Sequence, residues 1–246
     1  MNSLLQTRGL TLKFGGVVAA ESIDFDLKAG ERLAVIGANG AGKTTFINMV
    51  TGYIKPSAGK IMFDGVNITG MHPRQIVLQG IGRSFQLPQL FTEHTVRQSI
   101  ELAVAARQGP LSMLRPMSKC VERDEIDHVL SVVGLSQRAD DHCDSLPEGH
   151  RKLLDVAMAL VLRPKLLIMD EPTSGVAADE KHPLMATIMN ALSEQNVTAV
   201  FVEHDVDIVR EYATRVAAWI SGRIAADGSP ETVMNDDEVR TVVLGH

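Results

Sequence analysis

The chain is poor in the residues that staple or anchor a protein. It has two cysteines, Cys120 and Cys143, in 246 residues. Two such thiols make neither a disulfide framework nor a metal knuckle, and they are expected to stay reduced in a cytosolic chain. Acidic residues outnumber basic ones, for a net charge of −6. That excludes a broad basic surface of the kind that binds nucleic acid. No run approaches the ~18 apolar residues needed to cross a bilayer. The opening "MNSLLQTRGL" has no basic segment followed by an apolar stretch, so it does not read as a signal peptide. Any membrane role is therefore expected to come through a partner. Internal repeats and low-complexity segments are absent too.

What is there reads as strands and helices in alternation. The first 36 residues are β-rich, with "LLQTRGLTLKF" and "SIDFDLKAGERLAVI" as strand-like runs. Lys28-Ala29-Gly30-Glu31 is expected to be a hairpin turn between Phe25–Leu27 and Arg32–Ile36. "TFINMVTG" has helical spacing and stops near Gly52. "KPSAGKIMFDGVNI" predicts a strand, an Asp-Gly turn and a second strand. "VRQSIELAVAARQ" and "KCVERDEIDHVLSVVGL" then predict two helices, the second closed by Gly134. A third, "EGHRKLLDVAMALVLRP", is expected to end at Pro164. "KLLIMD" and "TAVFVEHD" are short buried strands. The helix in "DEKHPLMATIMNALSEQ" is expected to start near Pro183. "RVAAWISGRIAADG" predicts a hairpin around Ser221-Gly222, and "SPETVMND" a helix capped by Ser229. The fold class is α/β: a β-rich N-terminal part, a mainly parallel core sheet and an inserted helical subdomain. The core is assigned to residues 1–88 and 164–246, the helical part to about 89–163.

One motif carries chemistry without help. Gly37-Ala38-Asn39-Gly40-Ala41-Gly42-Lys43-Thr44 matches G-x-x-x-x-G-K-[ST], after a strand and before a helix. The glycines let the backbone curl so that N–H groups point inward at an anion. The helix behind adds the positive end of its dipole. Lys43 is placed to reach β and γ phosphates and Thr44 to offer a hydroxyl to Mg²⁺; Thr45 beside it joins the nucleotide-binding set. Downstream, "LLIMDEP" delivers Asp170 at the C-terminal end of a buried strand, where open α/β sheets bind ligands. Asp170 suits Mg²⁺, and Glu171 suits a general base that polarises water.

The order of the phosphate loop, "SFQLPQLF", a signature stretch just before "LLIMDEP", and "VEHD" resembles the nucleotide-binding subunits of ATP-binding-cassette transporters. The likeness runs from Leu4 to Gly245. "FGGVVAA", "IGRSFQLPQLF" and the terminal "VVLGH" are most similar to the import ATPases for branched-chain and other hydrophobic amino acids, with the urea and amide importers an open alternative. The resemblance implies a P-loop ATPase cassette that binds ATP and Mg²⁺. It implies that Gln86 contacts Mg²⁺ and the attacking water, and that His204 hydrogen-bonds the γ-phosphate. Phe14 stands where the family stacks an aromatic on adenine, core packing being its rival role. "LPQLF", Leu87 to Phe91, stands where such subunits meet a membrane protein, again with core packing as the rival. The implied partners are transmembrane permease subunits and a second cassette ATPase, with a periplasmic solute-binding protein involved only indirectly and no nucleic acid. The implied place is the cytoplasmic face of the inner membrane.

Two stretches depart from the family pattern. The usual signature is L-S-G-G-Q; this chain has Leu146-Pro147-Glu148-Gly149-His150. Pro147 lacks a hydroxyl and a backbone N–H. Glu148 sets a negative charge near a phosphate site, a repulsion of about 4 kcal/mol at about 4 Å in an effective dielectric of about 20. Gly149 and the helix N-terminus remain, and His150, Arg151 and Lys152 offer compensating positive charge. After "DEPTSG", Ala177 replaces the usual Asp or Asn. In the family's head-to-tail dimer each ATP lies between one subunit's phosphate loop and the other's signature. The pattern therefore implies a heterodimer with one fully equipped site. A clamp-like regulatory module with little turnover is the rival from another class. A soluble cassette protein of DNA repair or translation is disfavoured by the acidic charge and the single cassette.

Overall fold

The computed structural model describes residues 3–15, 17–84, 90, 91, 93–108 and 123–245. Its first strands sort by their hydrophobic pattern. β1 (Ser3–Phe14) and β2 (Val17–Lys28) pair antiparallel, and β1 pairs on its other side with β4 (Ala58–Phe63), which pairs with β5 (Val66–Asn67). In β2 Ile23, Phe25 and Leu27 are buried while Asp24 and Lys28 are exposed, the alternation of a sheet with one wet face. β3 (Arg32–Gly37) is instead buried from Leu33 onward, as a strand covered on both faces must be. The hairpin expected across Lys28–Glu31 is therefore corrected. The turn is present, with the Glu31 N–H donating to the Lys28 carbonyl at 3.3 Å. It carries the chain out of one sheet and into another.

That second sheet has six strands. β6 (Ile81–Ser84), β7 (Leu166–Asp170), β8 (Thr198–Val202), β9 (Arg215–Ile220) and β10 (Arg223–Gly228) join β3 in the order β10-β9-β3-β8-β7-β6. All neighbours run parallel except the closing β9–β10 hairpin. Ser221 and Gly222 both have positive φ, 48° and 80°, the two-residue turn that suits strand twist.

Alternate residues of the parallel strands feed two cores. Leu33 and Val35 pack with the antiparallel sheet, with α1 (Lys43–Val50) and with Ile76 of α2 (Pro73–Gln79). Ala34 and Ile36 pack on the opposite face with α3 (Val96–Gln108), α4 (Arg123–Val132), α5 (Glu148–Leu160), α6 (Ala178–Glu194) and α7 (Val206–Tyr212). α3 buries Val96, Ile100, Ala103 and Val104, one stripe of a 3.6-residue period. Gly134, with φ +73°, closes the segment after α4. α5 stops at Leu160, and Pro164, which disfavours helix at the residue before it, keeps the helix from continuing.

The start of α6 is a second correction. Pro183 lies inside the helix, which begins five residues earlier at Ala178. Proline removes the hydrogen bond to the carbonyl of Asp179. Asp179 and Pro183 are both exposed, so water can serve that carbonyl and the helix continues.

A three-membered ion cluster ties the helices together. Arg107 on α3 donates to both oxygens of Glu125 on α4, at 2.7 and 2.9 Å, and to the Val161 carbonyl at 2.6 Å. Arg163 adds a bond to Glu125 at 3.0 Å. The Arg107 hydrogen bonds hold the Glu125 carboxyl down to about 2, from an ordinary 4.5, against the opposing effect of burial. A carboxyl depressed by folding stabilises the fold above its unfolded pKa, and that contribution is lost as pH falls through the folded value. The gap corresponds to about 3 kcal/mol at most. Glu125→Gln is expected to lower stability by up to about 3 kcal/mol at pH 7, the difference from the native protein shrinking as pH falls from 4.5 to about 2. Urea unfolding across that pH range measures it.

Candidate active site

The parallel strands deliver the phosphate loop first. β3 ends at Gly37, whose φ is +154°; a Cβ there would lie 2.5 Å from the Trp219 carbonyl oxygen. At Gly42, φ is +105° and a Cβ would meet the Ala19 carbonyl at 2.8 Å. Only glycine fits at either end of this loop. Between them Ala38, Asn39 and Gly40 are exposed and Ala41 is buried. Gly42 caps α1 without a side-chain bond, and no acid stands in the first turn. The helix therefore presents its N-terminal N–H groups and positive dipole end unopposed. Lys43 is buried, with Nζ donating to the carbonyls of Gly37 at 2.6 Å and Ala38 at 3.1 Å. Burial pushes its ammonium below the usual range, while Glu171 and Asp170 pull it back up. Thr44 is exposed and Thr45 half-buried.

Asp170 ends β7, two strands away. Burial raises its carboxyl above the usual range, opposed by Arg83, whose Nη2 lies 3.5 Å from Asp170 Oδ2. Glu171 follows in a left-handed conformation, φ +50°, a strained state for a residue with a Cβ. Three contacts hold it there: its N–H donates to Val202, and its carbonyl accepts from Ser174 N–H and from Lys152 Nζ at 3.0 Å. Its Oε1 lies 3.3 Å from His204 Nε2. The structure thus brings Glu171 and His204 together, beside the loop that holds Lys43.

Glu203 went unrecognised in the sequence. It is buried, 3% exposed. One carboxylate oxygen accepts from the N–H and hydroxyl of Thr173, at 2.9 and 2.7 Å, and the other from the His204 N–H at 3.2 Å. Its own N–H donates to the Val35 carbonyl of β3. Glu203 therefore clamps the Asp170–Glu171 loop, the His204 loop and the phosphate-loop strand to one another. The usable signal was an acid directly after the buried strand "TAVFV". Arg83 was overlooked as well, and Lys152 was read as facing the signature rather than the Glu171 carbonyl.

The stretch before α5 is built differently from its sequence-based reading. Pro147 caps the helix with no side-chain bond, and Gly149 has open space around it, nothing coming nearer than Val176 at 4.0 Å. Arg151 turns back to the carbonyls of Leu146 and Asp144. Lys152 is buried against Glu171, and burial lowers its ammonium's pKa. The compensating charge expected from Arg151 and Lys152 is thus spent on the chain's own backbone. α6 likewise starts at Ala177 with no side-chain cap.

Phe14 is 54% exposed, which removes core packing as its role. It pairs with Val17 in the strand connection that leads to Ala19, the neighbour of Gly42. Of "LPQLF", Leu90 packs on the helical core while Phe91 is half exposed. Gln86, with residues 85–89, lies outside the described residues.

Hard oxygen donors suit Mg²⁺, and the Thr44 hydroxyl and Asp170 carboxylate, placed by α1 and β7, are such donors. Among the described residues no helix is long and apolar enough to cross a membrane.

Comparison with known proteins agrees with this geometry. The family model described as ABC transporter matches residues 20–174. The chain is 32% identical to the high-affinity branched-chain amino acid transport ATP-binding protein BraF of Pseudomonas aeruginosa, over 98% of each chain. It is 34% identical to the probable branched-chain amino acid transport ATP-binding protein LivG of Archaeoglobus fulgidus, over 98% of this chain and 95% of that one. An ATP-binding cassette of an ABC transporter, solved in its ADP conformation, superposes over 100% of both chains with a TM-score of 0.85 at 28% identity. The chain belongs to the ABC transporter family, as one of its ATP-binding, ATP-hydrolysing subunits.

Proposed function

We propose that this ATPase powers an importer of branched-chain or other hydrophobic amino acids, docked on permease subunits at the cytoplasmic face of the inner membrane. The names of its relatives support that substrate class. The observation that carries the catalytic reading is the Glu171–His204 contact of 3.3 Å beside the phosphate loop.

The geometry supports the roles of the phosphate loop, Asp170, Glu171 and His204, and family resemblance those of Gln86 and Phe14. Gly37 to Thr45 wrap the ATP phosphates, and Lys43 exchanges its two carbonyl acceptors for phosphate oxygens. Phe14 offers its exposed ring to adenine. Thr44, Asp170 and Gln86 hold Mg²⁺, which when bound neutralises phosphate charge. Glu171 accepts the proton of the attacking water. His204, oriented by Glu171 and by the Glu203 clamp on its N–H, donates to the γ-phosphate. Glu171→Gln is expected to keep ATP binding and to lower turnover by at least ~100-fold. Nucleotide binding by calorimetry together with phosphate release tests this, and unchanged turnover removes Glu171 as base.

The signature side supports an asymmetric pair. Pro147, Glu148 and Gly149 would face the ATP held by a second, related ATPase, with Arg151 and Lys152 turned away from it. One site of that dimer hydrolyses ATP, using this chain's Glu171. The other, closed by "LPEGH", turns over slowly. The clamp-like reading is favoured by the same residues but opposed by the intact Glu171–His204 pair. Alone, the chain is expected to hydrolyse ATP at least ~10-fold more slowly than when mixed with its partner ATPase. Robust cooperative turnover by a homodimer overturns the asymmetry.

A further inference from the structure

Arg83 is a buried guanidinium that the catalytic roles above leave unused. It lies on β6, and its side chain is 11% exposed. Its Nη1 donates to Asn48 Oδ1 at 2.7 Å and to Thr51 Oγ1 at 3.3 Å, one at the end of α1 and one just beyond it. Its Cζ lies 5.4 Å from the Tyr53 ring centroid, a cation–π contact. With three sides fixed, Nη2 points at Asp170 Oδ2, at 3.5 Å.

That geometry is unusual for an ion pair meant to stabilise a fold. A buried arginine and aspartate normally close into a short, bidentate pair. Here the guanidinium is anchored firmly on the phosphate-loop helix and touches the carboxylate only loosely, through one oxygen. Among the described residues Asp170 Oδ1 has no hydrogen-bond or ion-pair partner. We propose that Arg83 is a positioning residue for Asp170: it fixes the carboxylate's rotation relative to α1 and leaves one oxygen for the divalent cation. Thr44 lies on that same helix, so Arg83 sets the distance between Thr44 and Asp170, two of the groups that would hold the metal. Lysine cannot do this, because one ammonium cannot reach Asn48, Thr51 and Asp170 in a fixed fork.

The proposal rests on the reading of Asp170 as a metal-holding group, and the test separates the two. Mn²⁺ binding to the full chain with a non-hydrolysable ATP analogue is followed by electron paramagnetic resonance. Arg83→Met is expected to weaken Mn²⁺ about 10- to 100-fold, with nucleotide affinity in chelator unchanged within about twofold. Arg83→Lys recovers part of the loss. Asn48→Ala, which frees the guanidinium without removing it, weakens Mn²⁺ in the same direction. Wild-type Mn²⁺ affinity in Arg83→Met and Asn48→Ala overturns the proposal. Should circular dichroism show Arg83→Met unfolded, the same result in Arg83→Lys and Asn48→Ala overturns it. Asp170→Asn is the control: undiminished Mn²⁺ binding there overturns the role of Asp170 itself.

Discussion

The parallel register of β8 between β3 and β7 is the constraint on which the site depends. Val202 lies opposite Val35 on one side and opposite Asp170 on the other. Three strand ends therefore stop at one level. Gly37 comes two residues past Val35, His204 two past Val202, and Glu171 one past Asp170. Two backbone hydrogen bonds extend the register beyond the strands, from Glu171 to Val202 and from Glu203 to Val35. A slip of one residue would turn every buried side chain of β8 to the opposite core and part His204 from Glu171. Because β8 is apolar on both faces from Ala199 to Val202, the slip would expose few polar groups. The register must therefore be fixed by packing and by the Glu203 clamp at its end.

Around that edge the protein gathers charge that a stable core would avoid. Asp170, Glu171 and Glu203 face Lys43, Lys152 and Arg83; Glu203 and the two lysines are buried and the others partly so. Burial lowers the pKa of all three cations and raises that of Asp170. The ions thus gain less from one another than they lose in leaving water, the usual balance for buried pairs. Their arrangement makes sense as readiness for a more highly charged ligand. Lys43 and Lys152 both donate to backbone carbonyls. Among the described residues, Asp170 Oδ1 is left for an incoming donor or cation.

Much of this was legible in the sequence for a physical reason. The phosphate loop needs glycines at fixed offsets, a lysine and a hydroxyl, and no other local arrangement uses that pattern. β7 and β8 are short apolar runs ended by acids, so their place in a covered parallel sheet followed from composition. The Lys28–Glu31 turn misled because local turn chemistry is the same whether the flanking strands pair or part. Only the difference between alternation in β2 and continuity in β3 separates the cases. Pro183 misled because a helix tolerates a missing bond where its carbonyl faces water. Arg83 and Glu203 were invisible as site residues, and so was the Glu171 partner of Lys152, since these contacts span 87, 30 and 19 residues of chain and no spacing encodes them.

The signature stretch gains a structural reason for its oddity. In the chain's own frame, α5 is the support of the catalytic loop: Lys152 reaches the carbonyl of the strained Glu171, and Glu148 lies against Gly175. The Lys152 contact is made one turn into the helix and on its inner side. It places no requirement on Pro147 at the tip. The tip can therefore lose its phosphate-binding chemistry while the inner face keeps Glu171 in place. A chain built this way can weaken the site it offers to a partner without weakening its own. In the asymmetric dimer proposed above this separation would leave one site fully equipped, whereas in a homodimer the same tip would close both.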